Sequence, residues 1–252
     1  MSSLNRPEAR IAVDLIKQCC DLAVIVQSDT VGSFIEKDDR SPVTLADFSV
    51  QALVSRRLGE AFPGIPLMAE ESTSQLEGAE GEQFLERVAD YVRNFEPLAT
   101  AESVRSWIDR SQWNGGSRFW ALDPIDGTKG FLRGAQYVVA LALVVDGAVE
   151  IAVLGCPRLS LKPVAGSSSL STDPAEVGSL LIAVRGKGAW LTSLEDEDFV
   201  QLRVSECEDP RYAVALRSFE SGHTDESWFE RTAEHMGIET DPILLDSQAK
   251  YA

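Results

Sequence analysis

Trp120-Ala121-Leu122-Asp123-Pro124-Ile125-Asp126-Gly127-Thr128-Lys129-Gly130 is the most informative stretch of the chain. An apolar strand delivers two carboxylates, three residues apart, onto a turn shaped by Pro124 and Gly127. If Asp123 and Asp126 share one cavity, cations must relieve their repulsion. Hard ions such as Mg²⁺ prefer oxygen ligands and often add a backbone carbonyl, for which Ile125 is well placed. Gly127 and Thr128 offer backbone N–H groups where a helix could begin, a seat for phosphate oxygens. The plain alternative is an ordinary turn whose acids cap it through side-chain hydrogen bonds. On this stretch alone both readings stay open.

Two acidic sites upstream shift the balance. Ile65-Pro66-Leu67-Met68-Ala69 reads as a short buried strand that runs straight into Glu70-Glu71. Adjacent carboxylates are costly there unless a cation or solvent serves at least one of them; Glu71 can equally be an exposed acid opening a loop. Asp47 follows Thr44 by three residues, the spacing of a capping box. It can equally orient a hydroxyl or water beside metal ions. The chain has only two histidines, His223 and His235, and neither lies near a nucleophile motif, so no serine or cysteine triad competes. His235 reads as a surface or helix-end residue. His223 reads either as an exposed loop residue or as a group stacking on a base.

Around these motifs, the apolar period predicts a helix over 7–27 with Pro7 in its first turn, and a second from Thr44 to Pro63. A polar loop lies between them. Residues 73–116 are charged with helical spacing at Phe84, Leu85, Val88 and Val92, and read as a surface elaboration. From Arg118 the pattern turns to strands. Asp146-Gly147 supplies the positive φ of a tight hairpin between 137–145 and 148–156. A second hairpin fits 180–191 and another strand 199–204. Strands at 212–216 and 243–245 bracket a helix over 226–236, which suggests a second domain opening near residue 210.

Composition narrows the class. Hydrophobic residues make up 44% of 252, enough for a real core. With 23 Lys plus Arg against 40 Asp plus Glu, the net charge of −17 argues against nucleic-acid polymers and anionic membranes. A small anionic substrate remains compatible if metal ions reverse the local sign. The four cysteines have neither zinc-ligand nor disulfide spacing. No apolar run spans a bilayer and no targeting signal opens the chain, so the expectation is a cytoplasmic protein with free thiols.

Together the segments resemble the lithium-sensitive, Mg²⁺-dependent phosphatases of the inositol monophosphatase superfamily. The motifs are Asp47 at a helix start, Glu70-Glu71 after a strand, and Asp123-Pro124-Ile125-Asp126-Gly127-Thr128, in that order. Lys129-Gly130-Phe131-Leu132-Arg133-Gly134, Gly222-His223 and Asp246-Ser247-Gln248-Ala249-Lys250-Tyr251 are similar to its 3′(2′),5′-bisphosphate nucleotidase branch. The resemblance implies a layered αβαβα sandwich, with an N-terminal α+β domain over 1–210 and an α/β substrate domain opening over 211–252. It implies two or three Mg²⁺ ions on Glu70, Asp123, the Ile125 carbonyl and Asp126, and inhibition by Li⁺. It implies that Asp47 and Thr128 activate the attacking water, and that Gly127, Thr128, His223, Ser247 and Lys250 contact substrate.

The activity so implied is hydrolysis of the 3′-phosphate of 3′-phosphoadenosine 5′-phosphate to AMP and phosphate in sulfur metabolism, with 3′-phosphoadenylyl sulfate as a second substrate, by a monomer. The alternatives are an inositol phosphate or polyphosphate phosphatase with the same metal site, and a non-catalytic nucleotide-binding relative. The superfamily pattern also carries a metal-binding Asp in a Trp-Asp-x-Ala segment and a substrate-contacting Arg downstream of the Lys250 position. The sequence ends at Ala252 without either. The expectation is therefore a shortened second domain and weak activity of the 252 residues by themselves.

Overall fold

A computed structural model describes residues 2–29, 34–36, 42–111, 113, 115–164, 167–171, 177–218, 226–245 and 247–251. In chain order its helices are α1 (Pro7–Asp29), α2 (Leu45–Ala61), α3 (Gly78–Val92), α4 (Ala101–Asp109), α5 (Thr128–Leu132) and α6 (Glu226–Met236). Its strands are β1 (Phe34–Glu36), β2 (Pro42–Thr44), β3 (Leu67–Ala69), β4 (Arg118–Asp126), β5 (Val138–Val145), β6 (Ala148–Cys156), β7 (Ser160–Val164), β8 (Ser167–Ser171), β9 (Ser179–Val184), β10 (Gly188–Ser193), β11 (Val200–Leu202), β12 (Leu216–Arg217) and β13 (Ile243–Leu244).

Seven strands form the central sheet in the order β11-β10-β9-β6-β5-β4-β3, antiparallel except for the parallel pair β3 and β4. One face of the sheet is buried and the other is mostly half-buried, and the period of two sorts its side chains. Leu141 and Leu143 of β5, Ile151 and Val153 of β6, Ile182 of β9 and Trp190 of β10 join the main core with α1 and α2. Val138, Cys156, Leu181 and Leu191 face the other way, into a smaller cluster closed by Leu245 and Ala249. The β5–β6 hairpin turns on Asp146 (φ 51°) and Gly147 (φ 75°), the two left-handed residues that match strand twist.

α1 lies across β6 so closely that β6 must carry a glycine. A Cβ at Gly155 would meet Cys20 Sγ at 2.3 Å and Ile16 Cγ2 at 2.7 Å. Gly155→Ala should therefore force the helix off the sheet and cost about 1–3 kcal/mol. A denaturant midpoint equal to that of the unsubstituted chain would show that α1 can retreat freely.

Several expectations are corrected. Residues 73–116 are no surface elaboration: Leu85, Val88, Ala89, Val92, Val104 and Ile108 are buried, and α3 and α4 form a second helical layer against α2. The ends of the polar loop between the first two helices pair as the antiparallel strands β1 and β2. Tyr212, expected to open a strand, ends a 3-10 turn over 210–212, because Asp209 caps the Arg211 N–H at 3.1 Å with Pro210 at the turn's first position. The strand begins only at Leu216, where β12 runs parallel to β13 with α6 between them. The β7–β8 hairpin carried no recognised signal.

Candidate active site

The two aspartates of the central motif stand three residues apart on β4, so a regular strand would point them to opposite faces. The register shows how the chain avoids this. Asp123 pairs with Ala140 and Asp126 with Val138, so three steps on β4 match two on β5. The extra residue is a β-bulge, and Pro124, which has no N–H to give a ladder, lies inside it. Ala140 and Val138 share a face, and the bulge therefore puts both carboxylates on that face. It is the one that packs against Leu245 and Ala249.

Glu70 arrives from the neighbouring strand. The parallel register ends with Ala69 opposite Leu122, so Glu70 leaves the sheet beside Asp123. Glu70 is exposed, whereas Glu71 is buried, which corrects the picture of Glu71 as an exposed acid opening a loop. The cause is Gln51 of α2, fully buried. Its amide donates to the Glu71 carbonyl and accepts from the Glu71 N–H, both at 2.8 Å, as a strand neighbour would. One turn before Gln51, on the same face of α2, Asp47 is buried as well. Ser55 continues the stripe one turn later and donates to the Trp107 carbonyl at 2.5 Å.

Gly127 (φ 94°) breaks β4 in the left-handed region and opens α5. Thr128 follows, and its Oγ1 donates to the Ile125 carbonyl at 3.1 Å. That carbonyl keeps a second lone pair. α5 lies against β2, which feeds directly into α2, and this brings the Thr128 and Asp47 elements to one side of the molecule.

The turn over Ser247–Tyr251 closes the same site. The Gln248 N–H donates to Asp126 Oδ2, and a Cβ on Gly127 would stand 3.2 Å from Ser247 Cβ. Lys250 is half-buried, and its ammonium donates to the buried Ser218 hydroxyl at 2.9 Å. Beneath them Cys156 is held as a thiol, pushed up to about 12 by burial first and by the Asp126 charge second. His223 lies outside the described residues. His235 is exposed in the last turn of α6.

The structure therefore brings Asp126, Gly127 and Ser247 together, and sets Glu70 and Asp123 on neighbouring strand ends. Among the described residues, no three His, Cys, Asp or Glu side chains form a group that could hold a metal ion. The donor chemistry suits a hard divalent cation: carboxylates and a backbone carbonyl of one bulge, with the nearby Cys156 held as a protonated thiol. Two neighbours of the site carried no recognised signal. Gln136 precedes β5 in a stretch without periodicity. Gln51 was legible in principle, as an amide four residues after Asp47 within an apolar run.

Comparison with known proteins agrees with this architecture. The model of the inositol monophosphatase family matches residues 2–252. The 3′(2′),5′-bisphosphate nucleotidase 1 of Arabidopsis thaliana is 37% identical over 96% of this chain and 72% of its own length. The bisphosphate nucleotidases of Schizosaccharomyces pombe and Oryza sativa are each 36% identical, over 90% and 96% of this chain and 66% and 70% of their own lengths. The chain thus spans about two thirds or slightly more of these relatives. Among solved structures, the Thermotoga maritima IMPase superposes with a TM-score of 0.62 at 19% identity, over 97% of this chain and 70% of that one. CysQ from Bacteroides thetaiotaomicron gives 0.58 at 20% identity, over 98% and 75%. These two share the layered fold. No helix among the described residues is long and apolar enough to cross a membrane. With a family match along almost its entire length, the bulged aspartate pair on β4 and the layered sheet behind it, this chain belongs to the inositol monophosphatase family.

Proposed function

We propose that this chain is a Mg²⁺-dependent phosphomonoesterase that removes the 3′-phosphate of 3′-phosphoadenosine 5′-phosphate, giving AMP and phosphate. The observation that carries this reading is the fastening of the Ser247–Tyr251 turn onto Asp126 through the Gln248 N–H. It holds Ser247 beside Gly127, next to a carboxylate suited to a divalent cation, and curated relatives at 36–37% identity are bisphosphate nucleotidases. In this reading residues 211–252 open the substrate-binding part of the molecule.

Glu70, Asp123, Asp126 and the Ile125 carbonyl would hold the ion. When bound, it supplies Lewis acidity toward the phosphoryl oxygens and lowers the pKa of the attacking water. In this reading Asp47, which is buried, takes the water proton through Thr128, whose hydroxyl would first turn away from the Ile125 carbonyl it donates to. The Gly127 and Thr128 N–H groups face the phosphate. Lys250, released from Ser218, offsets the charge of a second phosphate, and Ser247 meets the nucleoside side.

Phosphate release from 3′-phosphoadenosine 5′-phosphate, 3′-phosphoadenylyl sulfate and inositol 1-phosphate, with Mg²⁺ and with chelator, tests this directly. Mg²⁺-dependent release from the first is expected; preference for the inositol ester would overturn the substrate assignment. Lys250→Ala should lower kcat/KM for the nucleotide by roughly 1.5–3 kcal/mol, the range for a hydrogen bond to a charged group. It should leave a small phenyl phosphate untouched. Equal losses on both substrates would assign Lys250 a structural role instead.

A further inference from the structure

Ser247 occupies a conformation that a residue with a Cβ rarely adopts, φ 65°. Such a residue persists only where its surroundings over-determine it. Here the Ala249 N–H turns back onto Ser247 Oγ at 3.3 Å, and the Gln248 N–H between them is anchored on Asp126. A further bond comes from outside the turn: Gln136 Nε2 donates to Ser247 Oγ at 2.7 Å across 111 residues of chain.

Gln136 is buried, at 7% exposure, and its backbone touches the other half of the site. Its carbonyl would stand 2.3 Å from a Cβ on Gly130 and 3.8 Å from one on Gly127. The neighbouring Ala135 N–H donates to the Gly130 carbonyl at 2.8 Å. One residue thus has its main chain against the 127–130 turn and its side chain on Ser247. A buried amide is costly to leave unmatched, so this bond is kept for position as well as for stability.

We propose that Gln136 is a specificity-determining positioning residue, which fixes the Ser247 hydroxyl relative to the Gly127–Thr128 turn so that a phosphate and the nucleoside bearing it are bound in one register. The inference rests on the nucleotide reading above. It acts through Ser247 and touches no reacting atom.

The test is a double-mutant cycle of Gln136→Ala and Ser247→Ala, with kcat and KM measured on 3′-phosphoadenosine 5′-phosphate and on phenyl phosphate. Gln136→Ala should raise KM for the nucleotide about tenfold with kcat within about twofold, and leave phenyl phosphate unchanged. In the Ser247→Ala background it should add less than about twofold, because residues acting through one contact are not additive. A loss confined to kcat on both substrates, as from a reduced folded fraction, would overturn the proposal; so would full additivity. Gln136→Met keeps the side-chain length and removes both donor and acceptor, so it should reproduce the KM effect if the alanine variant folds poorly. A wild-type chain without preference for the nucleotide would overturn the substrate reading and this role with it. A preference that survives Gln136→Ala overturns the role of Gln136 alone.

Discussion

Asp126→Asn should lower kcat on 3′-phosphoadenosine 5′-phosphate by about 10³-fold or more while leaving the fold intact. The substitution is nearly isosteric, and the asparagine carbonyl can still accept the Gln248 N–H, so the turn over Ser247–Tyr251 stays fastened. What disappears is one of the two charges that the bulge on β4 brings to a common face. Lewis-acid stabilisation of developing charge contributes several kcal/mol, and each 1.36 kcal/mol is a factor of ten. A poorly held ion forfeits most of that. Part of the lost rate should return as Mg²⁺ is raised, since affinity rather than chemistry is the first casualty. The checks are initial rates across a Mg²⁺ series and a melting temperature within a few degrees of the unsubstituted chain. Near-normal turnover at ordinary Mg²⁺ would remove Asp126 from the metal site, and with it the bulge as the organising feature.

How much of this site could be read in advance follows from the range of each interaction. Asp123, Pro124, Asp126 and Gly127 form a local pattern, and their placement at the end of a strand was legible because turn and bulge are both set within a few residues. The bulge itself had a sequence signal, a proline inside an otherwise apolar strand. Gln136 had none, since its partner Ser247 lies 111 residues away and nothing local distinguishes a bridging amide from a surface one. Glu70 and Glu71 show the same limit from another side. Which of two adjacent acids is buried depends on Gln51, on a helix that local pattern placed correctly but could not dock.

The fold was legible wherever one face of an element met one layer, and misread where a layer stood behind another. α2 is buried almost all round through its first three turns, from Leu45 to Ser55, so it must be covered on the side away from the sheet. α3 and α4 provide that cover, although their many charges made them look peripheral. A pair of identical substitutions in this one segment separates the two views. Leu85 is fully buried in α3, and Leu98, in the loop before α4, is 93% exposed. Leu85→Ala should cost about 2–5 kcal/mol, the transfer of the lost methyl groups plus the cavity they leave in a layer pinned by Phe48, Phe84 and Val88. Leu98→Ala should stay within about 0.5 kcal/mol, as for ordinary surface positions. At ~2–4 °C per kcal/mol for a chain of this size, thermal melts resolve the difference clearly. If both variants melt with the unsubstituted chain, α3 is a decoration on α2 and the helical double layer is not part of the cooperative core.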